Sequence, residues 1–93
     1  MSYAHYQAIR LEFGALLAEL QHFVLNADLE FTLILLDANE FGVALEEICG
    51  ILRDNAQPIP ATLCSKLEQM SIQLQYDVNE WAYWNPCSDL ATE

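Results

Sequence analysis

The stretch Asp37–Pro60, DANEFGVALEEICGILRDNAQPIP, constrains the fold more than any other part of the chain. It reads as the end of one helix, a complete amphipathic helix, and a proline-bracketed turn into the next. Asn39 is the residue best suited after glycine to the left-handed position that closes a helix. From Glu40 to Asn55 the apolar residues Phe41, Ala44, Leu45, Ile48 and Leu52 recur at helical spacing and predict one buried side. Glu40, Glu47 and Asp54 recur on the other side, with Val43 and Gly50 beside them. At about 100° per residue these three acids fall within roughly 40° of one another, so the helix that anchors the fold also presents a negative ridge. Pro58 then biases Gln57 to extended geometry, and Pro60 suits the first position of a following helix.

The flanking segments extend the same pattern. Tyr6, Ile9, Phe13, Leu16, Leu20 and Phe23, widened by Leu17 and Val24, predict a first helix over Tyr3–Leu25 with a sustained apolar seam. His22 near its end reads either as a partner for the helix dipole when protonated or as a plain exposed histidine. Asn26 suits the N-cap of a second helix, with Asp28 and Glu30 in its first turn. In that helix Leu29, Leu33 and Leu36 form one stripe, while Phe31, Ile34 and Leu35 fill the other sides. A short helix apolar nearly all round is expected to be central and covered by its neighbours. A buried strand competes for FTLILL, but no second strand candidate is present to pair with it. A fourth helix over Pro60–Tyr76 shows Leu63, Leu67, Met70 and Leu74 on its dry side. Asp77 or Asn79 caps a short fifth through Asn79–Trp84, and the tail beyond Pro86 is expected to fray. The expectation is therefore a single domain over residues 1–93, an all-α bundle of four helices plus a short C-terminal fifth.

Charge narrows the function classes. Fourteen acids against three Lys and Arg give a net charge of −11, which repels nucleic-acid backbones and anionic membranes and attracts a basic partner. The plainer alternative is charge that serves solubility alone. The start MSYAHYQAIR has neither a basic nor a long apolar region, so no secretory signal is expected, and Leu33–Leu36 is too short an apolar run to span a bilayer. Cys49, Cys64 and Cys87 form no CxxC and no paired framework. Their odd number predicts reduced thiols and a cytoplasmic location, with Cys49 and Cys64 acting as small, partly buried apolar residues.

Catalytic patterns are missing from the primary structure: no phosphate loop, nucleophile elbow or HExxH occurs. Glu46 and Glu47 are adjacent and splay about 100° apart on a helix, which does not suit shared acid–base work. Asp37, Asn39 and their neighbours do not make a calcium loop, and His5 and His22 lie too far apart for a zinc site. The chain is expected to be a binding protein with no catalytic residue, cofactor or metal.

The run DANEFGVALEEICGIL at 37–52, QPIP at 57–60, LEQM at 67–70 and DVNEW at 77–81 together resemble the MafI-like family of bacterial immunity proteins, related to the antidotes of contact-dependent growth inhibition. The resemblance covers roughly the last two-thirds of the chain. Asn39 stands where the family often has glycine, and Val78 where it often has proline. Membership implies a small acidic helical antidote to a cognate toxin domain, often a nuclease and in particular an EndoU-like ribonuclease, whose cleft must be cationic to hold phosphates.

On this reading Glu40, Glu47 and Asp54 form the docking ridge, with Asp28, Glu30, Asp37 and Glu46 in reserve. An aromatic anchor is wanted among the acids because exposed ion pairs contribute little. Trp81, Tyr83 and Trp84 are the candidates, with Tyr3 or Tyr76 behind them; core packing is favoured for Trp81, and Trp84 is carried forward as the anchor. An interface of about 800 Å² on a surface of about 5,500 Å² requires neighbouring helices to contribute. Neither nucleic acid nor membrane is an expected direct partner. A monomer is favoured, with a homodimer left open by the C-terminal aromatics. The rival readings are a helical adaptor without a toxin and, behind it, an acidic nucleic-acid mimic.

Overall fold

A computed structural model describes residues 3–55, 58–87 and 91–92. The described chain is all-α: α1 (Tyr3–Leu20), a 3₁₀ turn (Asn26–Leu29), α2 (Glu30–Asp37), α3 (Phe41–Asn55), α4 (Ala61–Gln73) and α5 (Val78–Trp84). A two-residue parallel pairing is added, β1 (Ile59–Pro60) with β2 (Ala91–Thr92), in the register Ile59 to Ala91 and Pro60 to Thr92. The extents are 35 × 30 × 18 Å. The shortest admits two helices at the usual spacing of about 8–10 Å, so the domain is two layers thick.

The α3 stripe is buried as its spacing predicts: Phe41, Ala44, Leu45, Ile48 and Leu52 are all in the core, joined by Cys49. From α1 come Ile9, Phe13, Leu16, Leu17 and Leu20, and from α4 Leu63, Leu67 and Met70. Tyr6 and Phe13 meet Phe41 with ring centroids 5.7 and 6.0 Å away, fixing the start of α3 against α1. Asn39 is left-handed, with φ 61°. The Glu40 N–H bonds the Leu35 carbonyl at 2.9 Å and the Asn39 N–H bonds that of Leu36 at 3.0 Å, closing the end of α2. Gln75, with φ 65°, repeats the device after α4 through Tyr76 N–H to Ser71 and Gln75 N–H to Ile72, both at 3.0 Å. Asp77 then caps α5 by accepting the Glu80 N–H at 2.8 Å.

Several expectations are corrected. α1 stops at Leu20, and residues 21–24 form a turn held by Phe23 N–H to the Leu20 carbonyl at 2.9 Å; His22 is exposed there. Asn26 is not an N-cap: it lies inside the 3₁₀ turn, and the cap position of α2 is Leu29, without a side-chain bond. Pro60 precedes α4 as its extended cap residue rather than opening it. The turn at Gln57 lies outside the described residues. The tail does not simply fray: Pro86 is buried, Cys87 pairs with Cys64, and Ala91–Thr92 runs beside Ile59–Pro60. The other tail residues lie outside the description.

The largest correction concerns α2. Leu29, Thr32 and Leu36 face inward, whereas Phe31 is 52% exposed, Leu33 50% and Ile34 62%. A helix covered on every side needs neighbours above and below, and a two-layer domain supplies them on one side only. The cysteines also depart from expectation. Cys64 and Cys87 are joined, with Cα atoms 5.8 Å apart, because the turn after α5 returns the chain to the first turn of α4. Cys49 alone is free. The case for a cytoplasmic location from reduced thiols therefore falls. Among the described residues no helix is long and apolar enough to cross a membrane.

Candidate functional site: an acidic and apolar surface on α2 and α3

The three Lys and Arg side chains are all bound to groups of the fold. Arg10 donates to Asn39 Oδ1 at 2.5 Å and lies 5.9 Å from the centroid of the Phe41 ring, bracing the α2–α3 turn. Arg53 donates to the Tyr83 and Asn85 carbonyls at 2.7 and 3.0 Å, satisfying the last turn of α5. Lys66 pairs with Glu19 across α4 and α1. All three cations are thus engaged by groups of the fold, and none of these bonds reaches the α3 ridge.

The ridge acids are spread along α3. Glu40 and Asp54 are exposed and Glu47 is half-buried, on a helix that runs unbroken from Phe41 to Asn55. Glu40 stands just before the helix, its carbonyl accepting the Ala44 N–H at 2.9 Å. Asp37, at the end of α2, is exposed near it, and Asp28 and Glu30 are exposed at the start of α2. The Ala38–Glu40 turn folds α3 back onto α2, so these acids belong to one two-helix unit. Asp37 and Asp54 lie in the last turns of their helices, where a negative charge opposes the dipole by about 0.3–1 kcal/mol each.

Glu46 is different. It is half-buried and accepts the Tyr76 hydroxyl at 2.5 Å, with the Gly42 carbonyl 3.0 Å from the same hydroxyl. Gly42 allows this approach, since a Cβ there would stand 3.3 Å from the Tyr76 oxygen. Burial first, then the Glu46 carboxylate, push the Tyr76 phenol well above its ordinary pKa. Glu46 therefore ties α3 to the α4–α5 turn rather than adding to the outward ridge. Burial likewise pushes the Cys49 thiol up to about 12, against the pull of Arg53, which leaves it a packing residue.

The aromatic candidates separate. Trp81 is in the core. Trp84 is half-buried and packs edge-on against Tyr83 at 5.2 Å, which leaves Tyr83 as the exposed ring of the cluster. Tyr76 is occupied by Glu46, and the Tyr3 side chain lies outside the description. Apolar surface is interleaved with the acids on α2, where Phe31, Leu33 and Ile34 stand beside Glu30 and Asp37, and Val43 is exposed beside the α3 acids. Spacing alone did not single the α2 residues out, because an all-apolar run has no preferred inward side. Among the described residues, no group of three or more His, Cys, Asp or Glu is placed to hold a metal ion.

The class of protein these features define is a small acidic helical domain that carries a mixed acidic and apolar surface on α2. The chain matches no protein-family model, no curated protein and no solved structure.

Proposed function

We propose that this chain is an immunity-type binding protein that neutralises a cognate bacterial toxin domain by laying its acidic face over a basic surface of that domain. The observation that carries the reading is the placement of Asp37 and Asp54, exposed in the last helical turns where they disfavour folding, while Arg10, Arg53 and Lys66 are all held by groups of the fold. Exposed acids that no cation of the fold engages are available to steer a basic partner. A nuclease fits best as the toxin, an EndoU-like ribonuclease above others, because its phosphate-binding cleft is cationic and a −11 chain is steered toward it. Protection from such a toxin is needed in the cytoplasm, where its nucleic-acid substrate lies. The protein acts by occupying the toxin and performs no catalysis of its own.

The test is to seek a toxin domain in the neighbouring reading frame and to co-express it with this chain. Growth restored by this chain, together with a stable complex on size exclusion, is the expected result. Growth arrest despite full expression would remove the antidote reading and favour a helical adaptor with a different partner.

A further inference from the structure

The eight residues of α2, EFTLILLD, bury Thr32 and Leu36 and leave Phe31, Leu33 and Ile34 half or more exposed. The three side chains expose on the order of 300 Å² of apolar surface, the size at which such patches mark interaction sites. Two further observations define what fits there. Glu30 and Asp37 lie between Leu33 and Ile34 around the outer side of the helix, at about 100° per residue. Next to them, a shallow hollow between α1 and α2 is lined by Leu17, Leu29, Leu33, Gln21, Asn26 and Glu30. A hollow with leucines in its floor and a carboxylate among its lining groups suits a long basic side chain, with the methylene stem on the leucines and the cationic head at the acid.

We infer that the outer face of α2 is the anchor of the binding surface, seating a basic and partly apolar protein surface whose arginine or lysine lies in the hollow with its head on Glu30. The inference rests on the acidic-docking reading above and moves its anchor from Trp84 to Phe31, Leu33 and Ile34. A second copy of this chain is the wrong occupant, because it would bring Glu30 and Asp37 of both molecules into one interface. The apolar residues supply the desolvated centre that surface ion pairs lack, and the acids set the sign of the partner.

Two short fluorescein-labelled peptides of equal positive charge serve as probes, one patterned with leucine as an amphipathic helix and the other with glycine in place of leucine. Fluorescence anisotropy should show the leucine peptide binding roughly tenfold tighter or better. Phe31→Ser and Ile34→Ser should each remove most of that advantage and leave the glycine peptide's binding unchanged, while Val78→Ser on exposed α5 changes neither. On the unaltered protein, methyl NMR shifts caused by the leucine peptide should centre on Leu33 and Ile34 rather than Ile72 or Val78. Equal binding of the two peptides, indifference to both serine variants, methyl shifts centred elsewhere, or a free-protein dimer that Phe31→Ser dissolves would each overturn the inference and leave acidic docking standing. If neither peptide binds at low salt, acidic docking falls with it.

Discussion

At Thr32 a hydroxyl sits at a fully buried position, and its oxygen has no hydrogen-bond partner among the described residues. A buried polar group without a partner costs about 1–3 kcal/mol, so the near-isosteric Thr32→Val should stabilise the domain by about 1 kcal/mol. A higher midpoint in chemical denaturation, at unchanged slope, would record it. Thr32 also shows where residue-level reading fails. The stripe Leu29–Leu33–Leu36 and the observed stripe Leu29–Thr32–Leu36 are both sound helical spacings. Hydrophobicity chose the wrong one because the only polar residue of FTLILL is turned inward, beside Leu36. On α3, where acids and apolar residues alternate clearly, the same reasoning found Phe41, Ala44, Leu45, Ile48 and Leu52, and Cys49, expected to be partly buried, is buried fully.

Among the elements, helix ends were legible wherever a side chain or a special backbone angle does the work. Asn39 and Asp77 are such residues. Ends set by tertiary packing were not: α1 stops at Leu20 within an apolar pattern that continues to Val24, because residues 21–24 turn back to bury Val24. The cap of α5 carries a pH dependence. Its hydrogen bonds, the backbone N–H of Glu80 foremost, hold the Asp77 carboxyl below its ordinary value of 3.8. A lowered native pKa gives stability that is complete above that value and is lost as pH falls through the native one. Acidification below about pH 4 should therefore loosen α5, reported by the fluorescence of Trp81 and Trp84. Asp77→Asn, which still caps but does not titrate, should flatten that component. Loosening that Asp77→Asn leaves unchanged would assign it to another group.

For the molecule as a whole, the all-helical architecture followed from spacing and caps, whereas the closure of the C-terminus did not. Cys64 and Cys87 are 23 residues apart, and only the return path through α5 brings them together. A cross-link closing a loop of that length is worth about 3 kcal/mol in chain entropy, so Cys87→Ser should lower stability by about that amount with helix content preserved. An equal stability of wild type and variant under non-reducing conditions would mean that the bond does not form in solution.

The surface measures 5688 Å², so an interface of about 800 Å² takes roughly a seventh of it, which the α2–α3 unit and its neighbours can provide. The central claim is that a basic partner is captured through the charge on that unit. It is tested by the association rate constant between the purified chain and the proposed basic partner, a toxin domain to be sought in the adjacent reading frame. Wild type is compared with the triple variant Glu40→Lys, Glu47→Lys, Asp54→Lys at low salt. The account predicts an unchanged circular dichroism spectrum and a rate lower by on the order of 10²-fold. An unaltered rate with full neutralisation by the triple variant would contradict it.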